Sequence, residues 1–229
     1  MASRNKTTPA PTGRARRARG AGVEDPKGRL IRVALDLFAR HGFDGVSTNM
    51  IAAAAELSQP MVYYHFRSKD DLWQSAVDSL MRDLGQRYPR NTAELKDLEP
   101  TAQLSVMLRR FLQLSFSDPR LAQIIISETT ARSERLDWLV RAYFKSGFGE
   151  FDAVIRKGIE AGQIKDLPVY VLTNTLVAAA SLIFCVAPLV ERVYGVDVSK
   201  PSRFPEIADT VVDILLKGML RNDDRGPGD

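Results

Sequence analysis

Apolar side chains recur along most of this chain at intervals of three and four residues, the spacing that places them on one face of an α-helix. The stretch GRLIRVALDLFARHGF shows the pattern clearly, and its apolar positions are Leu30, Val33, Ala34, Leu37 and Phe38. Gly42 interrupts the pattern, and glycine is typical of a helix C-terminus because it adopts a positive φ without steric cost. We therefore predict an amphipathic first helix that ends in a left-handed cap at Gly42, followed by a hydrophobic contact from Phe43.

Two short helical patterns follow the first helix. VSTNMIAAAAEL begins with Ser47 or Thr48 as a natural N-cap. SQPMVYYHF begins with Ser58 as its cap, and Pro60 fits its first turn because the missing N–H has no partner within the helix. Two short helices joined by a tight turn have the form of a helix-turn-helix unit.

A longer helix begins in SKDDLWQSAVDSLMRDL, where Ser68 and Asp71 form an S-x-x-D capping box. No stretch of the chain alternates between apolar and polar residues as a half-buried strand does. Beyond a polar, proline-bounded linker, further helices are predicted at about 101–117, 119–131, 134–161, 168–194 and 205–221. The pattern as a whole predicts an all-α protein.

The change in character at the linker divides the predicted fold into two domains. Residues 23–88 are expected to form a three-helix head that contains the helix-turn-helix unit, and residues 89–221 a helical bundle. The flanking segments 1–22 and 222–229 combine charged residues with proline and glycine, and we predict that both are disordered.

One apolar run allows two interpretations. VYVLTNTLVAAASLIFCVAPLV extends for 22 residues without a charge, which is the length of a membrane span. However, it contains Thr173, Asn174, Thr175, Ser181 and Pro188, and the sequence has no second segment of this kind. A helix that is apolar on all sides is equally typical of a bundle core or a subunit interface. We favour burial and expect no contact with a membrane.

The net charge of +4 is unevenly distributed along the chain. Residues 1–20 contain six basic and no acidic side chains, so the rest of the chain is slightly negative. Such an arm is either a solvated tail without a partner or a segment attracted to a polyanion.

The residue inventory argues against several kinds of chemistry. The single cysteine, Cys185, excludes an internal disulfide, and the two histidines, His41 and His65, are too few for a histidine-rich metal site. The motifs of serine hydrolases, P-loop NTPases, dinucleotide-binding enzymes and zinc proteases are all missing. We therefore expect no metal, no cofactor and no enzyme activity. Because the N-terminus lacks the apolar core of a signal peptide, we expect a cytoplasmic protein.

The aromatic residues of the second short helix divide between two faces. Val62 and Phe66 are four residues apart and can share the side that faces the core. Tyr63 and Tyr64 must point elsewhere, either into packing between helices or into solvent. An exposed tyrosine can donate to a phosphate or place its ring against a thymine methyl group, and Gln59 can pair with adenine. This arrangement favours a DNA-reading helix.

Residues 28–75 resemble the DNA-binding domain of the tetracycline-repressor (TetR) family of bacterial transcriptional regulators. The resemblance extends through ALDLFARHGFDGVSTNMIAAAAELSQPMVYYHFRSKDDL, with its helix ending in His-Gly-Phe, its Ser-Thr start and its Val-Tyr-x-His-Phe segment. It implies a homodimer that binds a palindromic operator in double-stranded DNA and is released by a small-molecule effector. The set of operator-contacting residues that it implies is Thr48, Asn49, Gln59, Pro60, Met61, Tyr63, Tyr64 and Lys69.

The chain departs from the family pattern at three positions of this motif. Asn49 stands where an arginine is frequent, and Met61 replaces a common small hydroxyl residue. Glu56 replaces the usual glycine of the turn, where a left-handed non-glycine residue costs on the order of 1 to 2 kcal/mol. The operator sequence therefore cannot be carried over from the family.

Two further sets of residues are expected in the C-terminal bundle. The first contains residues that either line a ligand pocket or belong to the ordinary core: Phe111, Trp138, Phe144, Phe148, Asn174 and Phe184. The second lies on the last two helices, which the resemblance implies form a four-helix dimer interface: Leu176, Leu182, Val186, Ile207, Val211, Ile214 and Leu215. The expected function is a ligand-released repressor; an activator, or a helical small-molecule carrier that does not bind DNA, are the alternatives.

Overall fold

The computed structural model describes residues 25–89 and 93–221. The predictions for the basic arm and for the C-terminal tail therefore fall outside the described residues. The described residues contain no β-strand, only an isolated bridge between Ile164 and Leu220. The prediction of an all-α protein is confirmed.

The helices of the described residues occur in the following order. The first four are α1 (Pro26–His41), α2 (Thr48–Ala54), α3 (Gln59–His65) and α4 (Lys69–Arg87). They are followed by α5 (Pro100–Ser117), α6 (Arg120–Ala131), α7 (Glu134–Leu139), a π-helical segment (Val140–Phe144) and α8 (Lys145–Glu160). The last three are α9 (Val169–Cys185), α10 (Ala187–Tyr194) and α11 (Phe204–Met219).

Side-chain caps set the starts of the helices of the head. The Ser47 hydroxyl accepts from the backbone N–H of Met50 at 3.2 Å, and the Ser68 hydroxyl accepts from that of Asp71 at 3.0 Å. Ser58 is the N-cap residue of α3, as predicted, but its side chain makes no capping hydrogen bond. Pro60 removes the N–H of the second helical position, and the N–H of Met61 is bonded to the Ser58 carbonyl instead.

Gly42 ends α1 with a φ of 68°, as predicted, but its ψ of 173° leads the chain away from the helix instead of continuing a left-handed turn. Phe43 is buried and stacks on Phe38 with ring centroids 5.7 Å apart. A Cβ at Gly42 would lie 2.8 Å from the Ser127 Oγ of α6. The positive φ is the reason for glycine here, since the Ser127 hydroxyl can rotate away from an added Cβ.

Two hydrophobic clusters hold the described residues together. The first is built by α1 to α4 around Phe38 and Trp73, and it also includes Ile124 of α6 and Leu139 of α7. The second lies among α5, α8, α9 and α11, with the fully buried Leu108 among its members. Because α6 and α7 contribute to the first cluster, the head packs directly against the bundle.

Two of the predicted helices are interrupted. Residues 168–194 form α9 and α10 instead of one helix, because a proline within a continuous helix would remove the N–H that bonds four residues back. Pro188 instead takes a position in the first turn of α10, where the N–H has no helical partner. The predicted helix at 134–161 is likewise divided by the π-helical segment Val140–Phe144.

The break also bears on the uncharged run. In the described part of the chain, no helix alone is long and apolar enough to cross a membrane. Only α9 and α10 taken as a pair reach that length and composition, and they are bent by 67° to each other.

Candidate nucleic-acid interface and ligand cavity

Helix α3 is anchored on one side and open on the other. Val62 and Phe66 are buried in the head cluster, as predicted. Tyr63 is 55% exposed and Tyr64 is 78% exposed. These are unusually open positions for tyrosine rings, so α3 presents both side chains outward from a rigid base.

A small polar network joins the N-terminal ends of α2 and α3. The hydroxyls of Thr48 and Tyr63 share a hydrogen bond of 3.2 Å, and Gln59 Nε2 donates to Thr48 Oγ1 at 3.3 Å. Thr48 itself is buried. It therefore orients Tyr63 and Gln59, whereas the resemblance had implied a direct contact with DNA.

The other implied contact residues surround this network. Asn49 and Pro60 are exposed, and Met61 is half-buried. Met50 is an exposed apolar residue in the first turn of α2 that the sequence pattern did not single out. The sequence signal for Met50 as part of this surface is its position directly after Asn49, one of the implied contact residues.

Lys69 has a different environment from the one expected of a phosphate contact. Its ammonium donates to the carbonyls of Phe43 at 3.0 Å and Val46 at 2.9 Å, and it lies 3.9 Å from the centroid of the Phe43 ring. Two of its three N–H donors are thus committed to the loop between α1 and α2. Lys69 therefore stabilises this loop. The nearby Arg67 is more exposed than Lys69.

The turn between α2 and α3 is closed by a left-handed glutamate. Glu56 has a φ of 54°. Its N–H donates to the Ala53 carbonyl at 3.0 Å, and the N–H of Leu57 donates to the Ala52 carbonyl at 2.9 Å. These two bonds form a Schellman motif, so the turn keeps its hydrogen bonds despite the absence of glycine.

A cavity of about 520 Å³ lies between α4, α5 and α8. Three of the six predicted pocket residues line it: Phe111, Phe144 and Phe148. Helix α4 also contributes Met81, and Tyr88 follows directly after α4. The cavity therefore lies at the junction of head and bundle, whereas the sequence predicted a pocket within the bundle.

The other three predicted pocket residues are elsewhere. Trp138 packs against Trp73 in the head cluster, with ring centroids 5.6 Å apart. Phe184 is buried against Phe116, at 5.4 Å between centroids. Asn174 is exposed, and its amide donates to the backbone carbonyl of Tyr170 at 2.7 Å. Packing with neighbours on other helices separates these residues from the cavity.

Tyr143 connects the cavity to the head. Its ring lines the cavity, and its hydroxyl donates to the Asp78 carboxylate on α4. Burial of the phenol and its hydrogen bond to this carboxylate raise the pKa of Tyr143 well above its ordinary value of 10.0. The residue belongs to the π-helical segment, a rare geometry that is frequent at functional sites.

Two arginines form further polar connections between head and bundle. Arg120 at the start of α6 donates to Asp36 of α1 and to Asp118, and these hydrogen bonds raise its pKa. Arg135 of α7 donates to the buried carboxylate of Glu128 at 3.0 Å and to Asp70 of α4 at 3.3 Å.

Arg135 also stacks on the head. Its guanidinium carbon lies 3.5 Å from the centroid of the Phe43 ring. A guanidinium over an aromatic face is attracted by the ring quadrupole. Together with the ion pairs, this contact holds α4 and the loop after α1 against α6 and α7.

The residues predicted for a dimer interface differ in their availability. Leu176 is fully buried in the cluster of its own bundle and is not available to a partner, which corrects its assignment. Leu182 is 47% exposed and Ile214 is 64% exposed. The remaining four are half-buried: Val186, Ile207, Val211 and Leu215.

Helix α10 adds apolar surface beyond the residues predicted for the interface. Leu189, Val193 and Tyr194 are all exposed, and no residue of this helix is buried. On α9, Val171 and Leu182 are exposed and eleven residues apart, a spacing that places them on the same helix face.

The described residues contain no group of three or more histidine, cysteine, aspartate or glutamate side chains arranged to hold a metal ion. Cys185 is half-buried, and this burial raises the pKa of its thiol. A raised pKa lowers the thiolate fraction at neutral pH and with it the reactivity of the sulfur.

Comparisons with known proteins agree with this geometry. Residues 30–76 match the sequence model of a family described as bacterial regulatory proteins, tetR family. The transcriptional regulator RutR of Escherichia coli O157:H7 is 25% identical over 201 residues, which cover 88% of this chain and 93% of RutR. The transcriptional repressor SCO4008 of Streptomyces coelicolor is 26% identical over 167 residues, covering 69% of this chain and 78% of SCO4008.

A solved structure extends the likeness to the whole fold. The ketosteroid transcriptional regulator KstR2 of Mycobacterium tuberculosis superimposes with a TM-score of 0.67 and 20% sequence identity, covering 88% of this chain and 98% of KstR2. At this identity the likeness concerns the fold, an N-terminal helix-turn-helix head on a helical bundle.

Proposed function

Because this chain belongs to the TetR family of bacterial transcriptional regulators, we propose that it represses transcription from a palindromic operator and leaves that operator when a small molecule enters the cavity. The chain is a sequence-specific DNA-binding regulator of the helix-turn-helix type. The observation that carries the rest of the proposal is the pair of exposed tyrosines on α3, in a chain whose cavity is bordered by α4.

In the proposed complex, α3 enters the major groove. Tyr63, Tyr64 and Gln59 approach base edges and phosphates, while Thr48 holds Tyr63 and Gln59 in position. Asn49 and Pro60 flank this surface. Phosphate attraction is strengthened by the basic arm of residues 1–20, which raises both affinity and salt dependence.

The active form is proposed to be a homodimer. A palindrome has two half-sites related by a two-fold axis, so a pair of heads related in the same way reads both. The exposed apolar residues Leu182 and Ile214, on neighbouring helices α9 and α11, support an interface on this face of the bundle.

Release is proposed to act through α4. This helix supplies part of the cavity wall, carries Asp78 and leads directly from the helix-turn-helix unit. A ligand that displaces Tyr143 or Met81 shifts α4 and changes the separation of the two heads. The protein is proposed to act in the bacterial cytoplasm, on the nucleoid while it is bound to DNA.

Fluorescence anisotropy on the DNA upstream of its own gene tests the DNA-binding surface. We expect tight, competitor-resistant binding that Tyr63→Ala and Gln59→Ala weaken at least tenfold, since each removes a base or phosphate contact. Tyr170→Ala is the control, because this tyrosine is also exposed but lies on α9.

The same anisotropy titration at a second salt concentration measures the salt dependence of binding. A genome-wide operator selection covers operators that lie elsewhere. Binding that is equal on random DNA, together with a selection that recovers no operator, would contradict the proposal. Small-molecule binding that persists without salt-sensitive DNA binding would favour the carrier alternative instead.

A further inference from the structure

Among the described residues that line the cavity, one charged side chain has no partner of opposite charge. The charged residues among the described cavity lining are Arg87, Glu94, Arg110 and Glu150. Arg87 donates to Asp83, and Arg110 lies 3.7 Å from the carboxylate of Glu94. Glu150 is half-buried on α8 and has no hydrogen bond or ion pair with any residue in the described part of the chain.

The rest of the wall is aromatic and apolar. Phe111, Phe144, Phe148 and Phe151 line the cavity together with Tyr143. The rings of Phe111 and Phe151 meet edge to face, with centroids 6.3 Å apart. The faces of aromatic rings carry partial negative charge and attract cations, most strongly where water is excluded.

Glu150 lines the same cavity as these rings. Gly147 is one turn before Glu150 on α8, and Phe151 comes directly after it; all three residues line the cavity. Gly147 brings no side chain of its own to this part of the wall. A half-buried carboxylate without a partner is stabilised by a cation that approaches it closely, because the local dielectric constant is lower than in water.

We propose that the effector is a hydrophobic organic cation whose charged centre lies beside Glu150 and whose apolar body contacts the phenylalanine rings. The inference rests on the proposed function, since it names the ligand class of the same cavity. A volume of about 520 Å³ accommodates a molecule of drug-like size. An anionic ligand would meet the unpaired carboxylate and would have to displace an acid from Arg87 or Arg110.

Calorimetric titration of the full chain with two ions of the same shape tests the sign of the charge. Tetraphenylphosphonium and tetraphenylborate differ in charge but hardly in size or apolar surface. We expect the phosphonium ion to bind in the cavity and the borate ion to bind at least tenfold more weakly. Failure of both ions to bind, or borate binding that is equal or tighter, would overturn the ligand class.

Two matched variants locate the effect. Glu150→Gln keeps the shape of the side chain but removes its charge. It should weaken phosphonium binding at least tenfold and reduce the difference in affinity between the two ions. Glu160→Gln, the same substitution at an exposed position of α8 outside the cavity, should leave both affinities unchanged. An affinity of Glu150→Gln equal to that of the unaltered protein would also overturn the proposal.

Operator binding in the presence of each ion separates this proposal from the previous one. Phosphonium binding that leaves the operator complex intact supports the ligand class and contradicts ligand-driven release. Release by the borate ion alone would support ligand-driven release and contradict the cationic ligand class. The cavity would then control DNA binding through a ligand of the opposite charge.

Discussion

Tyr143 links the cavity to the DNA-binding head. Its ring is part of the cavity wall, and its hydroxyl donates to Asp78 on α4, the last helix of the head. The raised pKa means that folding stabilises the neutral phenol of Tyr143 relative to its phenolate. The contribution of this bond to stability is therefore fully present below pH 10 and declines as the pH rises above that value.

Substitution of Tyr143 by Phe tests this coupling. The variant loses the bond to Asp78, so it should be less stable at pH 8, and its deficit relative to the unaltered protein should shrink between pH 10 and pH 11. Urea unfolding at a series of pH values measures the difference. Tyr170→Phe, at an exposed ring, serves as the control. A difference in stability that stays constant between pH 10 and pH 11 would contradict the raised pKa of Tyr143.

At the scale of elements, the junction between head and bundle depends on buried charge as well as on apolar packing. Glu128 is almost completely buried, and it accepts from Arg135 and from the Ser133 hydroxyl. A buried carboxylate that loses its cation retains the cost of leaving water without the compensating attraction. The connection of α4 and α7 through Arg135 is therefore more sensitive to substitution than a surface ion pair.

We expect Arg135→Met to reduce the free energy of unfolding by about 3 kcal/mol, because Glu128 is left without its cation. Arg203→Met is the matched control: its partner Glu206 is exposed, and such surface pairs contribute about 0 to 1 kcal/mol. Chemical denaturation gives both values. Adding Glu128→Gln to Arg135→Met should recover part of the loss, and similar values for the two arginine variants would contradict this account.

At the scale of the whole molecule, α9, α10 and α11 expose the apolar surface on which the proposed dimer depends. Surface leucines and isoleucines are ordinary when single, but here they occur on three consecutive helices. A second copy of the chain covers this surface in the proposed dimer, and the half-buried residues Val211 and Leu215 border it.

Ile214→Asp should convert the protein into monomers, because an unpaired carboxylate buried in the interface costs several kcal/mol. Such monomers should lose binding to the palindrome by at least a hundredfold while still recognising a half-site weakly. Lys217→Asp adds the same acid to a polar face of α11 and should remain dimeric. Sedimentation equilibrium distinguishes these states, and a dimeric Ile214→Asp variant would place the interface elsewhere.

The sequence by itself determined the parts of this protein that depend on neighbouring residues in the chain. Caps, helical periodicity and the signature of the motif predicted the helix-turn-helix head, its buried Val62 and Phe66, and the family. These signals are local, because a cap or an amphipathic face is set within one or two turns. Even the break before α10 had a local cause in Pro188, although the long apolar run concealed it.

Tertiary packing alone decided which side chains share a site. The same helical spacing places an aromatic residue toward a core or toward a cavity, so only neighbouring helices could separate Phe111 and Phe148 from Trp138 and Phe184. Likewise, no pattern in the sequence could show that Lys69 would be held by two distant carbonyls. Contacts between residues far apart in the chain depend on how the helices pack, and periodicity within one helix carries no information about its neighbours.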